Sequence, residues 1–223
     1  MTREELASMI DHTLLKPQAP AADIENLCRE TAEYGFASAC VNSLWVPAAV
    51  AALEEASPFE GPRPGVCSVV GFPLGASLSV ADEARAAVEA GAEELDMVIP
   101  LGLLKSNDIT GVSRIISSVV RAAFGNPVKV IIETCYLTPG EKVLACQLAV
   151  DSGAKWVKTS TGFGPGGATV EDVALMKATV GSSAGVKASG GIRDLTTALA
   201  MIDAGAGRLG CSSSVNIVRS LDD

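Results

Sequence analysis

Two lysines stand out by their surroundings: Val157-Lys158-Thr159-Ser160 and Val186-Lys187-Ala188-Ser189 each place an amine inside a short strand-like run. The first run opens into Thr161-Gly162-Phe163-Gly164-Pro165-Gly166-Gly167 and the second into Gly190-Gly191-Ile192-Arg193. Backbone this rich in glycine can bend closely around a ligand. A lysine is a poor nucleophile while protonated, and its ordinary pKa of about 10.4 keeps it so at neutral pH. Desolvation and a neighbouring cation both favour the neutral amine, so two lysines on adjacent strands can leave one free to attack a carbonyl. The chemistry suggested is a Schiff base on a phosphorylated substrate. The plainer alternative, that each head snorkels to water or pairs with a carboxylate, stays open at this point, and so does the choice between the two amines.

Elements must bring these residues together, and the chain alternates strand-like and helix-like segments at intervals of roughly 30 residues, as repeated βα units do. Eight strands are expected, at 10–13, 39–42, 67–71, 95–99, 129–133, 156–160, 186–189 and 208–210. Several helices start at a visible cap: Ser79 with Asp82, Thr138 with Glu141 and Pro139, and Thr169 with Asp172. Many end at glycine, as at Gly35, Gly91, Gly153 and Gly205. Thr2 and Glu5 form a capping box for a short N-terminal helix. The expected fold is therefore α/β, a (β/α)8 TIM barrel in a single domain over 1–223, with an open doubly wound sheet as the alternative.

Strand alternation sorts the side chains. Lys129, Ile131 and Glu133 share one face against Val130 and Ile132; Asp96 opposes Leu95 and Met97, and Lys158 opposes Val157. With the apolar faces toward the helices, Asp11, Cys40, Asn42, Asp96, Glu133, Lys158 and Lys187 point into the barrel and its C-terminal mouth. The ends of strands seven and eight read Ser189-Gly190-Gly191-Ile192 and Gly210-Cys211-Ser212-Ser213, where barrels often hold phosphate.

Composition excludes several classes. With 223 residues and nearly half of them hydrophobic, the chain can build one large core. A net charge of −9 argues against a nucleic-acid surface. No apolar run approaches the roughly 20 residues that span a bilayer, and the N-terminus lacks the pattern of a signal peptide, so no membrane partner is expected. Six cysteines without a C-x-x-C motif read as reduced thiols, pointing to a cytoplasmic location. His12 is the only histidine, which leaves a metal-dependent aldolase or a Ser-His-Asp hydrolase little to build on. Glu133 reads either as a general base or as an ion-pair partner of Lys129 or Lys158.

The motifs together resemble the deoxyribose-phosphate aldolase family. The resemblance is carried by Ile10-Asp11-His12-Thr13-Leu14-Leu15-Lys16-Pro17, Cys67-Ser68-Val69-Val70-Gly71-Phe72-Pro73-Leu74-Gly75, Glu94-Leu95-Asp96-Met97-Val98-Ile99 and Val130-Ile131-Ile132-Glu133-Thr134. The two lysine motifs and Gly210-Cys211-Ser212-Ser213 complete it, in order and over nearly the whole chain. It implies a class I aldolase that cleaves 2-deoxy-D-ribose 5-phosphate reversibly, with no metal and no organic cofactor. By motif position Lys158 matches the Schiff-base lysine, Lys187 the second catalytic lysine, Asp96 the proton-relay carboxylate and Asp11 a further carboxylate near the substrate hydroxyls. Gly162, Gly190, Gly191, Ser212 and Ser213 match phosphate contacts. The partners implied are a small sugar phosphate and aldehydes. A homodimer is expected, as the commonest closed assembly and one the family often forms. A related Schiff-base enzyme with another sugar phosphate, and a silent sugar-phosphate binder, are the competing readings.

Overall fold

The computed structural model describes residues 1–56 and 63–221. Eight strands run in parallel: β1 (Ile10–Leu14), β2 (Ser38–Val41), β3 (Gly65–Val70), β4 (Glu94–Val98), β5 (Val128–Ile131), β6 (Trp156–Lys158), β7 (Gly185–Ser189) and β8 (Arg208–Cys211). They close in sequence order into a barrel, which β1 seals against β8 with Asp11 beside Gly210. The doubly wound alternative, which needs open sheet edges, is excluded by that closure. Each expected strand is present, with bounds shifted by a few residues. β5 and β6 stop short of Glu133 and Ser160: the ladder continues through Ile132 N–H to Lys158 C=O at 2.9 Å, and then Glu133 turns into the left-handed region.

Ten helices are described: α1 (Arg3–Ala7), α2 (Ala21–Tyr34), α3 (Val46–Ala56), α4 (Val80–Glu89), α5 (Leu101–Lys105), α6 (Ile109–Ala122), α7 (Pro139–Asp151), α8 (Val170–Val180), α9 (Leu195–Asp203) and α10 (Ser214–Arg219). α1 and α7 begin with complete capping boxes, Thr2 with Glu5 and Thr138 with Glu141, and the Thr169 hydroxyl accepts from Asp172 N–H at the start of α8. Ser79 departs from expectation. Its backbone sits at φ −105°, ψ 20° rather than extended, so its hydroxyl makes no cap bond. Instead Glu83 in the first turn of α4 reaches back to accept from Gly71 N–H at 2.8 Å, tying the helix to the end of β3.

The period-two alternation divides the barrel wall as anticipated. Leu95, Met97, Val130, Ile132 and Val157 are buried in the main hydrophobic core between strands and helices. The opposite face carries a small apolar cluster of Leu15, Cys40, Cys67 and Val69 together with buried charged groups. Among the described residues no helix is long and apolar enough to cross a membrane.

Candidate active site

Asp96 is the hub of the barrel interior. It is fully buried on β4, and its Oδ2 accepts from Lys158 Nζ at 2.7 Å and Lys187 Nζ at 2.6 Å. Its Oδ1 lies 3.0 Å from Lys129 Nζ and accepts from the Cys67 thiol at 3.3 Å. Asp11, equally buried, accepts from Lys187 at 2.5 Å through Oδ2 and from Arg208 at 2.7 Å through Oδ1. Lys129 also pairs with Glu94. The register explains the meeting: Ile131 lies beside Lys158, and Lys158 beside Lys187, so consecutive strands deliver their amines to one level.

Buried charges survive only when paired, and this pairing sets the protonation states. Burial pushes the Asp96 carboxyl up, but the ammonium groups of Lys129, Lys158 and Lys187 outweigh it and hold Asp96 well below the usual carboxylate range. Asp11 is likewise held low against its burial by Lys187, Lys129 and Arg208. Burial alone would lower Lys187, yet Asp11 and Asp96 raise it above the ordinary lysine value; Lys129 is raised in the same way, chiefly by Asp96. Lys187 and Lys129 are therefore fixed cations.

Lys158 differs in place. It reaches a cavity of about 280 Å³ at the barrel mouth, which Lys16, Thr161, Gly162, Phe163, Ser189, Gly190, Gly191, Arg193 and Ser212 also line. Lys187, Asp96 and Asp11 lie beneath and do not line it. Four of the five expected phosphate contacts thus face the same cavity as Lys158; Ser213 does not, and caps the short α10 by its backbone only. The loops after β6 and β7 close on each other. Ala168 N–H donates to the carbonyls of Ser189 and Gly190 at 3.1 and 3.0 Å, and a Cβ on Gly167 would sit 2.2 Å from Gly190 O, so only glycine fits.

Other expectations resolve differently. Glu133 pairs with neither Lys129 nor Lys158; its carboxylate binds Thr161 instead. Asn42 is half-buried and donates to Leu15 C=O at 3.3 Å, away from the charges. Arg208, which sequence reasoning did not single out, and Lys129, read there only as a partner for Glu133, are members of the charge network. Lys129 carries a usable signal, since it alternates onto the charged face of β5. His12 makes a buried chain with Glu30 on Nε2 and Ser214 on Nδ1, each at 2.9 Å, but Ser214 is fully buried and offers no path for a substrate carbonyl.

Cys40, Cys67 and Asp96 bring three potential metal-ligand atoms within 4.8 Å of one another. Both oxygens of Asp96 already face ammonium groups, and Lys129 Nζ stands 3.5 Å from Cys67 Sγ. A divalent cation would be repelled by the lysines around it, so these donors do not fit one.

The sequence model of the DeoC/LacD family aldolase matches residues 6–220. A deoxyribose-phosphate aldolase of Carboxydothermus hydrogenoformans is 56% identical over 223 residues, spanning 97% of this chain and 95% of that protein. One from Geobacillus sp. (strain WCH70) is 56% identical over 216 residues, spanning 96% and 94%. Among solved structures, the tetrameric deoxyribose phosphate aldolase of Aeropyrum pernix superposes with a TM-score of 0.91 at 36% identity, over 100% of this chain and 93% of that one. With a lysine-lined cavity above a buried network of charges and these likenesses over nearly its full length, the chain belongs to the DeoC/LacD family of aldolases.

Proposed function

We propose that the chain is a class I aldolase that reversibly cleaves 2-deoxy-D-ribose 5-phosphate to D-glyceraldehyde 3-phosphate and acetaldehyde. The observation that carries this reading is that Lys158, alone among the three lysines gathered on Asp96, lines the cavity. In the neutral form its Nζ attacks the C1 aldehyde, and loss of water from the carbinolamine gives an iminium. Deprotonation of the C3 hydroxyl then breaks the C2–C3 bond, releasing the three-carbon aldehyde and leaving the electron pair in an enamine. Protonation of that enamine and hydrolysis release acetaldehyde and restore Lys158. The fixed cation at Lys187 shares Oδ2 of Asp96 with Lys158 and so keeps that carboxylate beside the attacking amine. Asp96 serves as the relay carboxylate and, with Asp11, holds Lys187 in place. The iminium is the electron sink, so the chemistry calls for no metal or organic cofactor.

Gly162, Gly190, Gly191 and Ser212 offer backbone and hydroxyl donors to the phosphate at the cavity wall, with Ser213 supporting the loop behind them. The reading takes 1–223 as one catalytic domain. Six free cysteines suit a reducing cytoplasm, and a two-fold homodimer is the assembly proposed; light scattering at working concentration tests it, a monomer or tetramer overturning it. The mechanism is tested by borohydride reduction of the protein with 2-deoxy-D-ribose 5-phosphate, followed by peptide mapping. A reduced adduct on Lys158 is expected. Binding without an adduct would leave a silent binder, and an adduct on Lys187 would reverse the roles of the two amines.

A further inference from the structure

Glu133 is a buried acid with no assigned task. It is 2% exposed, follows the end of β5, and adopts the left-handed backbone, φ 53° and ψ 67°, although it is not a glycine. Such a conformation persists where the surroundings over-determine it, and it clusters at binding sites. Among the described residues no lysine or arginine forms an ion pair with its carboxylate. Both oxygens lie 3.2 Å from Thr161 N–H, and Oε2 also accepts the Thr161 hydroxyl hydrogen. Thr161 Oγ1 in turn accepts from Phe163 N–H at 3.0 Å. The carboxylate therefore grips the residue before Gly162 and, through its hydroxyl, the residue after it. Gly162 sits between the two at φ 84°. The loop packs so tightly over Glu133 that a Cβ on Gly164 would lie 3.4 Å from the carboxyl carbon. Glu133 itself does not line the cavity, whereas Thr161, Gly162 and Phe163 do.

We infer that Glu133 is a positioning residue for phosphate recognition: through Thr161 it fixes the loop whose Gly162 amide faces the substrate phosphate. This rests on the reading of the Gly162 loop as a phosphate site. A general base would need its carboxylate at the cavity surface; this one is turned away and occupied by the N–H and hydroxyl of Thr161, with the Cys135 thiol donating to Oε1 at 3.9 Å. An anion beneath a phosphate loop is otherwise unfavourable, so its retention suits a group whose charge is spent on backbone and hydroxyl donors rather than on the ligand.

The test compares 2-deoxy-D-ribose 5-phosphate with unphosphorylated 2-deoxy-D-ribose. For Glu133→Ala the ratio of the two kcat/KM values should fall about tenfold, with the loss mainly in KM, the size set by losing hydrogen bonds to a charged group. Competitive inhibition by inorganic phosphate should weaken by a similar factor, while borohydride trapping of acetaldehyde on Lys158 persists. Glu133→Gln, which keeps a carbonyl oxygen for Thr161 N–H, should recover part of the loss. Thr161→Val tests the same contact from the other side without removing the acid: it should shift the ratio in the same direction, and combining it with Glu133→Ala should add little. Equal loss on both substrates, or an unchanged ratio in both single variants, overturns the inference. A wild-type protein that does not distinguish the two substrates overturns the phosphate reading itself, and the role of Glu133 with it.

Discussion

One carboxylate oxygen serving two amines divides their labour. Oδ2 of Asp96 lies between Lys158 and Lys187, and the second of these is also held by Asp11. Replacing Lys187 by Met removes the cation that Asp11 and Asp96 both hold. A fall in kcat of about 10²–10⁴ is expected from the lost general acid–base contribution, read from steady-state kinetics; an unchanged kcat would sink this account. Asp96→Asn leaves Lys129, Lys158 and Lys187 facing a neutral amide, and breaking a buried network of this kind costs about 3–5 kcal/mol, measurable by urea unfolding. The acid dependence has a definite sign. Asp11 and Asp96 are held below their unfolded values, so their stabilisation is present above about pH 4 and is lost as pH falls toward their folded values. At this scale alternation pointed to the inward set, and the roles proposed for it rest on resemblance. The sequence did not disclose that Arg208 meets Asp11, because that contact crosses 197 positions and exists only once the barrel closes.

At the scale of elements, caps separate what a motif promises from what the backbone delivers. Thr138 completes its box at α7, so Thr138→Ala should cost about 1 kcal/mol. Ser79 makes no cap bond, and Ser79→Ala should stay within about 0.5 kcal/mol. Both follow from chemical denaturation, and equal losses would show the distinction to be empty. Eight strands and most helix ends were legible because period-two alternation and terminal glycines are local signals. The cap at Ser79 was misread because its torsions follow from the loop after β3, which Glu83 holds, and that is a tertiary fact. His12 joins β1 to α2 and α10 through Glu30 and Ser214. Burial lowers its pKa, against the pull of Glu30. A histidine whose folded pKa is depressed leaves the unfolded state to bind the proton first, so stability should fall as pH drops below about 6.5. His12→Gln should flatten that slope between pH 7.5 and 5.5 in urea titrations; an unchanged slope would remove His12 from the account.

For the whole molecule, the charges of the interior network come from six strands spread around the ring: β1, β4, β5, β6, β7 and β8. Asp11 and Lys187 stand 176 positions apart, and Arg208 follows later still. In the order of synthesis, then, Asp11 precedes every one of its counter-charges, Lys129, Lys187 and Arg208. Until β5 to β7 have emerged, the acids of β1 and β4 lack the amines that neutralise them, and water must solvate them. Premature collapse around β1 to β4 is disfavoured, because it would bury Asp11 and Asp96 without the lysines that neutralise them. The same charges therefore oppose compaction of the early strands alone and favour it once β5 to β7 supply the amines.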